Sequence, residues 1–204
     1  MGEALRMLAR LGRETGPHHA DADSDVDRFL FAATTTVDDY REYLVRVYGF
    51  VQPYETALAS TPQLDEMIDM RPRLKTPLLL HDLYALGMTD DDLAAIPVCM
   101  TVPTFRGAAG ALGWMYVVER PVLASAVIRR HLQTRLPGEM ASASAYLGAY
   151  AGQVGTMWRE LGRAIERIAA TPAVADRVVA SAGEAFRVLH RWRTHDLQRA
   201  AFAV

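Results

Sequence analysis

Cysteine is scarce in this sequence, and its scarcity excludes several kinds of site. Cys99 is the single cysteine among 204 residues, so the chain cannot form an internal disulfide or a multi-cysteine zinc or iron–sulfur centre. Long apolar runs are missing as well. The N-terminal MGEALRMLARLGRE has no apolar core of signal-peptide length, and we find no run elsewhere that reaches the length of a membrane span. We therefore expect a cytoplasmic protein without a membrane partner.

An excess of one charge is also absent. Lys and Arg together number 22 and Asp and Glu 24, which gives a net charge of -2. A surface that binds DNA or RNA normally shows a basic excess or a basic stripe, so we expect no nucleic-acid partner. Because 50% of its residues are hydrophobic, the chain can bury one sizeable core. We expect a single domain over residues 1–204.

Apolar residues recur at helical rather than alternating spacing along almost the whole chain, which predicts an all-α fold. Thr36 and Thr89, each followed by acidic residues, are typical N-caps, and Gly87 is typical of a helix end. Pro172, directly after the Thr171 cap, suits the first turn of a helix. The predicted helices cover residues 3–13, 21–33, 38–58, 78–86, 111–132, 146–170 and 172–195.

The helical run over residues 111–132 is interrupted in its middle by Glu119-Arg120-Pro121. A proline inside a helix removes one backbone hydrogen bond and clashes with the carbonyl four residues earlier, at a cost of roughly 3 kcal/mol. Two interpretations fit a bend at this place. Either two shorter helices meet at a corner, or one helix bends over a ligand.

Two of the six histidines stand apart from the others. His18 and His19 follow Pro17 near a predicted helix start, with Asp23 one helical turn beyond His19. A neutral imidazole is a good iron ligand when its other ring nitrogen donates to a carboxylate, and Asp23 is placed to accept such a bond. The alternative is a pair of solvated histidines in a polar loop. The remaining histidines have no partner at ligand spacing: His81, His131, His190 and His195.

Thr15, His19 and Asp23 follow one another at four-residue steps. This pattern resembles the proximal signature of the haem oxygenases, in which a threonine, the iron-ligating histidine and an acid have the same spacing. Further motifs, in order along the chain, resemble the same family. The later blocks look most like the bacterial enzymes that make biliverdin for bacteriophytochromes. These blocks are Arg73-Leu74-Lys75-Thr76-Pro77-Leu78-Leu79, Leu112-Gly113-x-x-Tyr116-Val117-x-Glu119, Val127-Ile128-x-Arg130-His131-Leu132, Tyr150-x-x-x-x-Gly155-x-Met157-Trp158 and the stretch from Thr171 to Phe186.

The resemblance implies a single-domain, multi-helix bundle that holds haem between a proximal helix and a kinked distal helix. His19 would be the iron ligand, with Asp23 behind it. The family's distal G-S-x-x-G-G becomes Arg120-Pro121-Val122-Leu123-Ala124-Ser125 here, so all three glycines are replaced. Ala124 and Ser125 are small, whereas Arg120 adds a long side chain whose charge cannot be neutralised by deprotonation.

Three outcomes are compatible with this substitution. Arg120 could point outward or pair with a carboxylate such as Glu119, leaving a pocket that still binds haem and turns it over. It could instead enter the pocket and pair with a propionate of haem or a bilin, which gives a binding protein without oxygenase chemistry. In the third outcome the pocket is closed and the fold serves another partner.

The resemblance also implies cations that hold the two propionates, as cations usually pair with carboxylates. Arg159 and Arg163 lie four residues apart and share a helix face. Near the proximal helix the family's lysine is replaced by Gly12, with Arg13 adjacent and Arg10 one turn earlier. Tyr116 on the distal helix is a candidate hydrogen-bond donor to a propionate or a water. The alternatives are a solvated surface for the arginines and a core position for the tyrosine. The candidate haem-binding residues are His19, Asp23, Arg10, Arg13, Tyr116, Arg159 and Arg163, and the candidate distal residues are Arg120, Ala124 and Ser125.

An active member of this family would use haem as both cofactor and substrate and would take electrons from an external reductase. The leading hypothesis is therefore oxidative cleavage of haem to biliverdin, carbon monoxide and iron, with a bacteriophytochrome pathway as one destination for the product. The first alternative is a non-catalytic haem- or tetrapyrrole-binding protein of the same fold. The second is a helical interaction protein whose pocket is filled.

Overall fold

Helices make up all the regular structure in residues 6–196, the part of the chain that the computed structural model describes; the side chains of residues 20–25, 195 and 196 lie outside that description. No strand occurs within this part, which confirms the all-α prediction. The α-helices are α1 (Arg6–Thr15), α2 (His19–Leu30), α3 (Val37–Ala59), α4 (Leu64–Met67), α5 (Thr76–Ala85), α6 (Asp90–Ala94), α7 (Ala108–Glu119), α8 (Ser125–Arg135), α9 (Pro137–Ser142), α10 (Val154–Ile168) and α11 (Pro172–Arg191). Short 3₁₀ turns cover Gly16–His18, Arg71–Arg73 and Arg120–Ala124, and a π turn covers Trp192–Asp196.

The predicted helix caps are present. Thr36 caps α3 and Thr89 caps α6, each in a reciprocal pairing with an aspartate three residues later. The Thr171 side chain accepts a hydrogen bond from the backbone N–H of Val174, and Pro172 occupies the first turn of α11. Gly87, with φ +87°, follows the end of α5 in the left-handed conformation that glycine adopts readily. Local sequence therefore sets these boundaries.

Other boundaries differ from the prediction. The helix predicted from residue 146 begins only at Val154, because Tyr150 and Gly152 have φ values of 61° and 76° and cannot continue a right-handed helix. The first helix runs on to Thr15, and its predicted start at residues 3–5 lies outside the described residues. The second begins at His19 and ends at Leu30, earlier at both ends than predicted. The last helix ends at Arg191, where the π turn begins.

Helix α7 lies at the centre of the larger of two apolar clusters and packs most closely on α11. The contact requires Gly113, because a Cβ there would lie 2.4 Å from the carbonyl oxygen of Val178. The second cluster gathers α2, α3, α5, α8 and α9. The two clusters therefore meet along the continuous helical segment formed by α7 and α8.

That segment also qualifies, by length and composition alone, as a membrane-spanning helix, which the sequence analysis did not anticipate. It covers residues 108–135, and 61% of its most apolar window is buried inside the fold. A central helix of a folded domain has the same properties, so this is weak evidence for a membrane span.

Candidate functional site

The interruption at Glu119-Arg120-Pro121 takes the form of a tightened helical turn. Helix α7 ends at Glu119, a 3₁₀ turn covers Arg120–Ala124, and α8 begins at Ser125. The backbone stays in the right-handed helical region at both ends of the turn, with φ and ψ of -56° and -42° at Arg120 and -55° and -38° at Ser125. We call α7, this turn and α8 the distal segment, and Arg120–Ala124 the distal turn. A 3₁₀ stretch in the middle of a helix is typical of a strained or functional position.

The two candidate histidines lie at the junction of α1 and α2, against α11. His19 is half-buried, and its Nε2 lies 3.1 Å from the hydroxyl oxygen of Thr15 on α1. The ring centroids of His19 and Phe186 are 5.4 Å apart, and the His18 ring stacks on Phe186 at 5.8 Å. Both imidazoles are thus packed on a core aromatic ring. The geometry does not match the expectation of a solvated loop.

Tyr116 connects this junction to the distal segment. Its hydroxyl lies against α1, where a Cβ on Gly12 would stand 3.8 Å from it, and its ring centroid lies 5.5 Å from that of Trp158 on α10. Burial raises the pKa of the Tyr116 hydroxyl above its usual value, and the positive charge of Arg120, four residues later, offsets part of that rise. Tyr116 therefore links α1, which also carries Thr15, to the distal segment.

The face of the distal segment that carries Tyr116 and Arg120 continues with apolar residues. Leu123 and Val127 follow at helical spacing and are 49% and 63% exposed. Ala124 is exposed as well, whereas Ser125 is buried. This part of the distal segment therefore offers two large apolar side chains to a ligand or a partner.

The predicted cations occupy different environments. Arg10 is committed to Glu14 and Asp176, at 2.8 and 2.6 Å. Arg13 and Arg163 are exposed. Arg159 is exposed too and donates a hydrogen bond to the Thr156 hydroxyl at 3.1 Å. Asp23, the predicted partner of His19, lies outside the described side chains. Arg13, Arg159 and Arg163 are thus available to an anionic ligand, whereas Arg10 would have to leave two carboxylates.

Comparison with protein-family models decides the classification. The model described as "Heme oxygenase" matches residues 5–195, which is nearly the whole chain. The chain belongs to the haem oxygenase family. No curated protein matches it at a significant level. The family membership confirms the resemblance drawn from the motifs and implies haem as the ligand class.

The residues present fit a haem, which needs only one protein ligand to its iron. The described residues include no cluster of three or more histidine, cysteine or carboxylate side chains that could hold a bare metal ion. His19, with His18 beside it, is the candidate for that ligand. Leu123 and Val127 give the distal segment an exposed apolar face, and exposed arginines lie on α1 and α10.

Sequence reasoning missed two features of this region. The first is Phe186, the ring against which both histidines pack. The second is the burial of Arg73, Lys75 and Glu119, which form an ionic cluster behind the distal turn. A signal for this cluster was present, because Glu119 is the single charge in the apolar half of the distal segment. A lone carboxylate in such a run needs a buried cation.

Proposed function

We propose that this protein binds haem between α2 and the distal segment, with His19 as the iron ligand, and cleaves it oxidatively to biliverdin, carbon monoxide and iron. One observation carries the proposal. The candidate ligand His19 contacts Thr15 of α1, α1 lies against Tyr116 of the distal segment, and that segment leaves Leu123 and Val127 exposed. An apolar, flat ligand with an iron centre and carboxylates at one edge suits this combination.

The protein groups have distinct roles in this proposal. His19 Nε2, at the tip of the ring, would leave the Thr15 hydroxyl to hold the iron, while packing on Phe186 keeps the ring oriented. The exposed Arg13, Arg159 and Arg163 would pair with the propionates. Bound haem supplies the redox centre at which oxygen is reduced, with electrons from an external reductase.

On the distal side, Ala124 stands where the family has a glycine and presents only a methyl group to the ligand. Buried Ser125 helps to keep the start of α8 compact. Leu123 and Val127 exclude water from the face of the macrocycle. In this proposal the protein works in the cytoplasm, and its biliverdin is available as a chromophore for a bacteriophytochrome.

A second candidate is a non-catalytic haem- or tetrapyrrole-binding protein, and the position of Arg120 favours it. The side chain is half-buried, and its charge acts on Tyr116. A guanidinium there can pair with a propionate and hold the macrocycle away from the distal turn. Binding would then be strong, and the turn would lack the bare backbone that a glycine provides for close approach.

One experiment separates these candidates. Hemin is added to the purified protein, the spectrum is recorded, and ascorbate or a reductase is then added in air. A Soret band that decays to biliverdin absorption supports the oxygenase. A stable Soret band supports the binding protein. A spectrum of free hemin alone rejects both and leaves a helical interaction protein with a filled pocket.

A further inference from the structure

Helix α7 ends in a buried cluster of charges to which the proposed haem chemistry assigns no role. Glu119 accepts hydrogen bonds from Lys75 Nζ at 3.1 Å and from the Tyr150 hydroxyl at 2.8 Å. Lys75 Nζ also donates to the Tyr150 hydroxyl at 2.6 Å, and Arg73 Nη1 lies 3.8 Å from the second oxygen of Glu119. Arg73, Lys75 and Glu119 are only 3%, 3% and 6% exposed. We call Arg73, Lys75, Glu119 and Tyr150 the clamp.

The clamp joins separate parts of the chain where the distal turn begins. Glu119 is the last residue of α7, and the next residue opens the 3₁₀ turn. Arg73 and Lys75 come from the segment before α5, and Tyr150 comes from the turns before α10. Arg73 also donates to the carbonyl oxygen of Met157 on α10 at 2.9 Å. The end of α7 is therefore held from two sides by groups distant in sequence.

The distal turn needs support of this kind because its own hydrogen bonding is incomplete. Pro121 has no N–H, so the carbonyl of Val117 loses its helical partner at this point. The 3₁₀ turn that follows makes hydrogen bonds of poorer geometry than an α-helix. The backbone hydrogen bonds of the helix therefore fix the path between α7 and α8 only weakly. Contacts at Glu119 then decide the direction in which the turn leaves α7.

The clamp is an inefficient way to stabilise a fold. Burial lowers the pKa of Lys75, and the negative charge of Glu119 offsets part of that shift. Arg73 Nε and Nη1 have no hydrogen-bond partner among the described residues. Tyr150 is held at φ 61°, a strained conformation for a bulky residue. Apolar side chains of similar volume would often be at least as stabilising as a buried ion pair. A buried ion pair instead fixes the relative position of the chain segments that carry the two charges.

We propose that the clamp is a positioning device for the distal turn, with Glu119 and Tyr150 as its central residues. It fixes the rotation and axial position at which the turn begins. It thereby sets how closely Leu123 and Ala124 approach the face of a bound haem. This role rests on the proposed haem-binding function, although its structural part, the ordering of the turn, is measurable without haem.

The test compares the full-length wild type with Tyr150→Phe and Glu119→Gln, using Tyr40→Phe as the matched control. The Tyr40 hydroxyl is buried and donates to the carbonyl of Ala143 at 2.8 Å, which is not a clamp residue. Amide hydrogen exchange of residues 122–125 is measured first on haem-free protein. A hydrogen bond to a charged group is strong enough to change a local opening equilibrium about tenfold. We expect at least that acceleration in both clamp variants and none in the control.

The second readout uses the hemin-loaded proteins and records the Soret maximum and the ratio of biliverdin isomers. Both should shift in the clamp variants and match the wild type in Tyr40→Phe. The clamp proposal is wrong if exchange in the distal turn accelerates no more in Tyr150→Phe than in the control, a comparison that stays valid if Glu119→Gln fails to fold. It is also wrong if the turn loosens while spectrum and isomer ratio stay unchanged. If the wild type shows no Soret band with hemin, the proposed function is wrong, and so is the proposal that the clamp positions the turn against haem. The hydrogen-exchange result still decides whether the clamp orders the distal turn.

Discussion

Replacing Thr15 by valine should strengthen hemin binding, which is the opposite of what a change beside a metal ligand usually does. Thr15 is buried and donates its proton to the carbonyl of Leu11 at 2.7 Å, so it can only accept from His19 Nε2 at 3.1 Å. That bond occupies the nitrogen that we assign to iron. It must break when haem binds, so it stabilises the haem-free state alone.

The expected magnitude follows from the value of one hydrogen bond. A neutral intramolecular hydrogen bond contributes about 0.5 to 1.5 kcal/mol net, and about 1.4 kcal/mol corresponds to a tenfold change in a dissociation constant. Removing the Thr15 hydroxyl should therefore lower the hemin Kd roughly two- to tenfold. Valine keeps the branched shape of the side chain.

The assay is a titration of each purified protein with hemin, followed at the Soret band, together with urea unfolding of the haem-free forms. Thr15→Ser is the matched control because it retains the hydroxyl, and its Kd should stay near that of the wild type. A Kd for Thr15→Val equal to or above that of Thr15→Ser would refute the competition between Thr15 and iron. It would mean that iron takes another nitrogen or that the histidine does not bind it.

Three further predictions test the ligand, the core and the propionate contact. His19→Ala should lose the Soret signature of an imidazole-bound haem because it removes the ligand, whereas His18→Ala should keep it; the reverse result transfers the assignment to His18. Gly113→Ala should lower the free energy of unfolding by about 1 to 3 kcal/mol because its Cβ would clash with the backbone of α11. Gly138→Ala is the control, since a Cβ there meets no atom within 4 Å, and equal urea midpoints for the two variants would contradict this packing. Hemin dimethyl ester should bind more weakly than hemin to the wild type, and Arg120→Ala should reduce that difference; an unchanged ratio of the two Kd values would show that Arg120 does not contact a propionate.

The helices could be predicted where the signals are local. Helix α3 was expected over residues 38–58 and is found at Val37–Ala59, because its capping threonine and its apolar face are both encoded within its own segment. The start of α10 was placed wrongly for the opposite reason. Its break depends on Tyr150, whose left-handed backbone accompanies hydrogen bonds to Lys75 and Glu119. Contacts that distant in sequence leave no trace in local periodicity.

The same difference between local and long-range signals applies to the candidate site. His19 and Tyr116 became candidates because each lies in a short motif with fixed spacing. The packing of the Tyr116 hydroxyl on α1 could not be predicted in this way, since it depends on how α1 lies against the distal segment. Arg10 illustrates the same limit for charges: its sequence position suits a propionate, but folding places it beside Asp176 of α11. Spacing along one helix predicts a shared face and does not predict which other helix supplies the partner.

The distal segment is held from both sides, and this bears on the glycines that the motif comparison predicts to be replaced. On one side Tyr116 packs against α1 and the Trp158 ring. On the other side Glu119 ties the last turn of α7 to Lys75 and Tyr150. Pro121 then starts a 3₁₀ turn from a fixed point. A glycine-rich turn reaches a ligand because its backbone is bare and pliable, whereas this turn has a defined path with side chains on it. In the proposed complex, haem would have to fit against Leu123 and Ala124 where they stand, and the clamp and the direction of the Arg120 guanidinium would set the distance available to it.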